Sequence, residues 1–123
     1  MSTLNVSNIT DGTDTVETGY VLNGSAKAWV NFNGTGTIAA RDSFNVASLT
    51  DNSTGNYDVN YTSNMNNGNY ATTTATSQFS PFPIAQGYEQ GTATTDVTIN
   101  IAQPGTADYD SPKVLVHVQG DLA

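Results

Sequence analysis

The feature that most constrains the fold is a stretch of alternating residues between Ala26 and Tyr70. Within it, three short runs alternate apolar and polar side chains, and clusters of Asn, Asp and Gly separate each run from the next. Period-two alternation bounded by turn-forming residues is the pattern of consecutive antiparallel strands with one buried face. The stretch therefore predicts the scaffold of a β-sheet domain.

The same alternation assigns the buried face of each predicted strand. We expect Asn33-Gly34 to close a tight type I′ hairpin, since both central residues of that turn need positive φ. Phe44 and Val46 fall on one face and Leu49 is out of phase with them, which predicts a bulge or a strand end in between. The predicted inward positions are Ala28, Val30 and Phe32; Tyr57, Val59 and Tyr61; Val97, Ile99 and Ile101; and Val114, Val116 and Val118.

These patterns predict seven to nine short strands and no helix. A Thr-rich run at residues 72–77 offers almost no apolar side chain and is expected at a sheet edge, whereas the strand containing Leu115 is apolar on both faces and is expected near a sheet centre. The 123 residues suit one domain. The predicted fold is all-β, an antiparallel β-sandwich of jelly-roll type over residues 26–123, preceded by an arm or lead-in strand at residues 1–25.

Charge and cysteine content exclude several classes of partner. The chain has three Lys and Arg residues against eleven Asp and Glu, a formal net charge of −8. Free nucleic acid and anionic membranes are poor partners, because binding either needs clustered cations. Without cysteine there is no disulfide or thiolate metal site. No apolar run is long enough to insert into a membrane and the N-terminus lacks a signal-peptide pattern, so we expect synthesis in a cytoplasm.

Residues that carry catalytic or metal chemistry are scarce. The single His117 lies among alternating valines, where a structural role is expected. With one His and no Cys, a zinc site is effectively ruled out. The carboxylates of 108–110 and 11–14 leave calcium open as an alternative, although neither spacing is that of an EF-hand loop. We therefore expect no catalytic residues, no metal ligands, no cofactor and no enzymatic activity.

Two sets of residues are candidates for contact with other molecules. The segment 78–90 is apolar for a loop, and Pro81 and Pro83 exclude a central strand. Its apolar residues either contact a ligand or partner, or cap the end of the sandwich: Phe79, Phe82, Ile84 and Tyr88.

The second set is predicted at a subunit interface. Trp29 lies opposite the core face, where an interface, a ligand platform and a second buried face all remain open. Arg41 either forms an exposed pair with Asp42 or organises a subunit contact. Leu4 and Val6 share one face of the arm. A domain with few large apolar residues gains stability by burying more of them between subunits, so an oligomer is expected.

Residues 26–70 also resemble a known module. The runs AKAWVNFNGTGTIAARDSFNVASLTDN and TGNYDVNYT, followed by Met65 and Asn69-Tyr70, are similar to a module near the distal, C-terminal ends of tail-fibre and related virion proteins of tailed bacteriophages. The resemblance implies a β-rich, usually trimeric component of the virion surface that is made in the host bacterial cytoplasm and contacts the host cell.

Two functions follow from these observations. The first is a tail-fibre-tip-like adhesin whose loops bind a host surface glycan or protein. The second is a capsid decoration or cement protein whose arm, Ser2 to Ile9, adds a strand to a neighbouring virion protein.

Overall fold

The described residues form two four-stranded antiparallel sheets preceded by a small hairpin and a helix. The computed structural model describes residues 1–77, 86–102 and 107–123. Sheet 1 has the strand order β4-β3-β10-β7, sheet 2 has the order β5-β6-β9-β8, and β1 pairs with β2. The elements are β1 (Asn8–Thr10), β2 (Thr15–Glu17), α1 (Thr18–Gly24), β3 (Ala28–Asn33), β4 (Ala39–Phe44), β5 (Val46–Ser53), β6 (Asn56–Tyr61), β7 (Ala71–Thr76), β8 (Gln86–Thr92), β9 (Asp96–Ala102) and β10 (Val114–Gln119).

The core lies between the inner faces of the two sheets. Every inward position predicted from the alternation is buried, at no more than 6% exposure. The rings of Phe32 and Tyr57, one from each sheet, meet edge to face with centroids 5.3 Å apart. Met65 and Tyr70 complete the core from the connection between β6 and β7. The predicted core is confirmed because strand side chains alternate between faces whatever the pairing partner.

The predicted fold class is confirmed at the level of an all-β, sandwich-like pair of antiparallel sheets. The jelly-roll type is not confirmed. Consecutive strands are paired with each other in both sheets: β3 with β4 in sheet 1, and β5 with β6 and β8 with β9 in sheet 2. The described residues form ten strands rather than seven to nine, since the N-terminal region contributes the β1–β2 hairpin. The edge position of β7 and the central position of β10 are both as predicted.

The turn at Asn33-Gly34 is not the predicted type I′ hairpin. The chain reverses there, but over the longer connection from Asn33 to Ala39, and the positive φ of 62° belongs to Gly36. The Asn33 side chain shapes this connection by donating to Thr35 O at 2.7 Å. Gly34 is required for space instead, because a Cβ there would lie 2.7 Å from the Tyr57 hydroxyl.

Two further elements differ from the prediction. Helix α1 was not expected; its seven residues include none that is buried. Strand β8 begins at Gln86, inside the segment predicted to be irregular up to Gln90. Its pairing with β9 uses backbone hydrogen bonds, which need no apolar pattern, and a bulge interrupts the register between Glu89 and Gly91. Within the described residues, no helix has the length and apolar character needed to cross a membrane.

Candidate interaction surfaces

The outer surface of sheet 2 is lined by polar side chains, and we call it the polar face. On the two central strands, the residues that alternate with the buried ones are amides, carboxylates and a hydroxyl. Pairing places them in rows across the sheet, such as Asn56 beside Asn100 and Asp58 beside Thr98. The members of the polar face on β6 and β9 are Asn56, Asp58, Asn60, Asp96 and Thr98. Asn100 belongs to the same rows but is only 3% exposed, with its Nδ2 bonded to Asp108 Oδ2.

Hydrogen bonds between strands hold several of these side chains in one orientation. Thr98 Oγ1 donates to Asp58 Oδ1 at 2.8 Å. Asn60 Nδ2 donates to Thr50 Oγ1 on β5 at 3.0 Å. Because these contacts use only part of each group's capacity, an amide or carboxylate oxygen here can accept further hydrogen bonds from a ligand.

Tyr88 adds an aromatic ring to the polar face. It lies on β8 directly opposite Asn100, and 47% of its surface is exposed. The prediction that Tyr88 belongs to an irregular loop is therefore wrong, because that part of the chain is a strand. Phe79, Phe82 and Ile84, the other predicted contact residues, lie outside the described residues.

The outer surface of sheet 1 has the opposite character, and we call it the apolar face; its members are Trp29, Phe44, Ala75 and Leu115. Trp29 is half-buried on this outer side and pairs with Phe44 on β4 and with His117 on β10. Phe44 is 54% exposed. Leu115 is also exposed, and its strand neighbour is Ala75. The face thus presents aromatic and aliphatic side chains to solvent, interleaved with the polar residues Asn31, Asp42 and His117.

Phe44 was missed by the sequence reasoning, which placed it on one strand face with Val46. Asn45, between them, has a positive φ of 56°, and the chain switches there from β4 in sheet 1 to β5 in sheet 2. Phe44 therefore points away from the core whereas Val46 packs against it. The signal available in the sequence was Asn45 itself, since Asn adopts the left-handed region more readily than other non-glycine residues.

The Arg41 side chain bonds across the outer side of sheet 1, and the Asp42 side chain has a different partner. Its guanidinium donates to Asn31 Oδ1 at 3.4 Å and to Pro112 O at 2.6 Å. The Asp42 carboxylate instead accepts from the Ser43 backbone N–H at 2.9 Å.

All three basic residues of the sequence flank sheet 1. Lys27 immediately precedes β3, Arg41 lies in β4, and Lys113 immediately precedes β10. Arg41 and Lys113 are exposed, so they place positive charge around the apolar face. The role of Arg41 and Trp29 in a subunit interface stays a prediction.

Residues 1–24, which we call the N-terminal segment, expose most of their apolar side chains. Leu4 is 84% exposed and Leu22 is 65% exposed. An open groove is lined chiefly by apolar residues from the start of the segment, from β1 and from α1: Leu4, Val6, Ile9, Val21 and Leu22. The strand predicted over residues 2–9 forms only at Asn8–Thr10, and the interface role of Leu4 and Val6 stays a prediction.

The end of α1 is attached to sheet 1 by a few polar contacts. Gln119 Nε2 donates to Gly24 O at 2.8 Å. The buried Lys27 ammonium donates to the carbonyl oxygens of Leu22 and Ser25. The segment itself carries three carboxylates and no Lys or Arg. One of them, Asp11, accepts the backbone N–H groups of residues 14 and 13, which lowers the pKa of its carboxyl.

The carboxylates considered for calcium have structural partners. Asp108 Oδ2 accepts from Asn100 Nδ2 at 3.1 Å. Asp110 Oδ1 accepts from Gly55 N at 2.7 Å and from the Tyr57 hydroxyl at 2.8 Å. Across the described ranges, no group of three or more His, Asp or Glu residues is arranged to hold a metal ion.

Comparisons of the chain with protein-family models, with curated proteins and with solved structures found no match.

Proposed function

We propose that this protein is a non-enzymatic surface protein of a tailed-bacteriophage particle, a trimeric tail-fibre-tip-like adhesin that binds a glycan of the host cell surface. The observation that carries the proposal is the polar face, with Tyr88 exposed beside rows of amide and carboxylate side chains. The resemblance of residues 26–70 to distal modules of phage fibres supports the same assignment.

The polar face has the two kinds of group that sugars require. The face of an aromatic ring stacks against the apolar C–H side of a sugar ring, and Tyr88 supplies such a ring. Asn and Asp side chains accept and donate hydrogen bonds to sugar hydroxyls. Neighbouring strands are about 4.8 Å apart, a spacing comparable to one sugar ring. Because interstrand hydrogen bonds already orient Asp58 and Asn60, binding would order few additional side chains.

The test replaces Tyr88 and measures binding of the purified protein to host cells and to their isolated surface polysaccharide. Tyr88→Ala should weaken binding about fivefold or more, because one stacked aromatic ring contributes on the order of 1 kcal/mol or more. Tyr88→Phe is the matched control; it keeps the ring and should retain most of the binding. Equal binding by wild type and Tyr88→Ala would refute the proposed site.

A second candidate function is a capsid decoration or cement protein. The exposed apolar N-terminal segment favours it, because such a segment can add to a neighbouring virion protein. Under this proposal, removal of residues 1–10 should abolish association with the capsid, and electron microscopy of intact particles would locate the protein. Full capsid occupancy by the truncated protein would rule the candidate out.

A further inference from the structure

We infer that the apolar face of sheet 1 is the docking surface for the N-terminal segment of a second copy of this chain. The inference rests on the proposed assembly of several copies, and it is independent of the sugar-binding role of the polar face.

The two surfaces are uncovered within one copy. Phe44 and Leu115 are exposed on the apolar face, and Leu4 and Leu22 are exposed along the groove of the N-terminal segment. Removing apolar surface of this kind from water stabilises the complex that buries it. Exposed apolar patches on a soluble protein commonly mark an interaction site. The same chain therefore carries both halves of an apolar contact.

A copy does not use its own segment to cover its own sheet. In the described structure, α1 and the β1–β2 hairpin pack on one another, without extensive contact with either sheet. Only the end of α1 is attached, through Gln119 and Lys27. Phe44 remains 54% exposed. The N-terminal segment is therefore available to contact a neighbouring copy.

Charge complementarity favours a second copy as the occupant. Copies with a net charge of −8 repel one another over most of their surface. The surroundings of the apolar face are less acidic, because Arg41 and Lys113 are exposed there and Asp42 is the one carboxylate on the four strands of sheet 1. The N-terminal segment brings Asp11, Asp14 and Glu17 and no basic side chain. Apolar contact at the centre with opposite charges at the rim is the usual arrangement of a specific interface.

The contact joins different surfaces of the two copies, so it is heterologous. A heterologous contact forms a ring when its rotation closes and a filament when it does not, and closure after three copies gives the proposed trimer. The polar face belongs to the other sheet and stays outside this contact, free for a ligand.

The first test compares the mass in solution of full-length variants, by size-exclusion chromatography with light scattering. Phe44→Glu and the pair Leu4→Glu with Val6→Glu should each weaken self-association about a hundredfold or more, because the first buries one unpaired carboxylate in the contact and the second buries two. Ser48→Glu, an exposed substitution on the edge strand β5 of sheet 2, is the matched control and should keep the mass of three copies. All the substituted residues are at least partly exposed, and circular dichroism checks that the variants fold.

The second test uses the absence of native cysteine. Copies carrying Leu22→Cys are co-expressed with differently tagged copies carrying Phe44→Cys, and disulfide-linked pairs are read on a non-reducing gel. Mixed pairs should form with Phe44→Cys and not with Ser48→Cys. A monomeric wild type, an oligomer that survives both sets of Glu substitutions, or equal linking to Ser48→Cys would each overturn the inference. Since neither readout involves host cells, failure of the Tyr88 test leaves these results interpretable.

Discussion

Tyr57 joins three parts of the chain through one hydroxyl group. The residue is fully buried on β6, and its hydroxyl lies 2.8 Å from Gly34 O and 2.8 Å from Asp110 Oδ1. Gly55 N donates to the same Asp110 oxygen. Gly55 has a positive φ of 69°, and a Cβ there would lie 2.6 Å from Ile101 O, so glycine is required at this position. The cluster connects the β3–β4 turn, the β5–β6 turn and residues 107–113 before β10.

Replacing Tyr57 tests the strength of this cluster. Tyr57→Phe should lower the free energy of unfolding by about 1–3 kcal/mol, because it removes the single O–H donor that Gly34 O and Asp110 Oδ1 share at this buried site. The measurement is urea denaturation followed by fluorescence of Trp29. Tyr88→Phe, at an exposed site, should change stability by less than about 0.5 kcal/mol. A Tyr57→Phe protein as stable as the wild type would show that the hydroxyl contributes nothing to the fold.

The connection from β4 to β5 is the element that carries the chain from one sheet to the other. Asn45 makes it possible by adopting a positive φ and by bonding to both sides of the sandwich. Its Nδ2 donates to Lys27 O at 2.9 Å and to Ser63 O at 3.0 Å, and its Oδ1 accepts from Ser63 N at 2.7 Å. The turn also fixes where Phe44 and Val46 point, so it shapes the apolar face.

Two substitutions at Asn45 separate side-chain bonding from backbone strain. Asn45→Gly removes the three hydrogen bonds but tolerates positive φ, whereas Asn45→Ala removes the bonds and adds strain. Asn45→Ala should therefore be less stable than Asn45→Gly by about 1 kcal/mol, and both should be less stable than wild type. Thermal unfolding of the three proteins side by side supplies the comparison. An Ala variant that matches or exceeds the Gly variant would contradict a strained turn.

At the scale of the whole molecule, the tyrosines of the core make stability depend on alkaline pH. Burial raises the pKa of Tyr57, Tyr61 and Tyr70 above the ordinary value of 10.0. In the unfolded chain these groups lose their protons near pH 10, whereas in the folded protein they keep them. The unfolded state then binds fewer protons, so the free energy of unfolding falls as pH rises.

This linkage predicts a stability plateau below about pH 10 and a steep loss above it. Urea denaturation at intervals from pH 7 to pH 11 measures the profile. Tyr57→Phe removes one of the three groups, so above pH 10 its stability should decline less steeply than that of the wild type. Parallel profiles for the two proteins would mean that Tyr57 does not contribute to the alkaline loss.

The outer faces of the two sheets differ in the side chains they carry. Under the two proposals, the apolar face and the N-terminal segment serve assembly, whereas the polar face serves ligand binding. Substitutions on one face should leave the property of the other intact, and the Phe44 and Tyr88 variants provide that comparison.

The sequence by itself determined the strand positions of the core, because alternation along a strand does not depend on which strands pair; Met65 and Tyr70, in the connection between β6 and β7, had no such pattern. Ala28, Val30 and Phe32 on β3 illustrate this, as do the valines of β10. The edge position of the Thr-rich strand followed from its lack of apolar side chains.

Only the tertiary structure decided which strands are neighbours and which outward side chains meet. Strand β8 has little alternation of apolar residues, and it is held by backbone hydrogen bonds to β9. The sequence around Tyr88 therefore did not indicate that this residue lies beside Asn100. The meeting of Trp29 with Phe44 and His117 depends on pairings with β4 and β10, far apart in the chain. Local alternation determines which face of the sheet a side chain lies on, whereas long-range backbone pairing determines which side chains lie next to it. The two candidate surfaces consist of side chains from several strands, so only the pairing could define them.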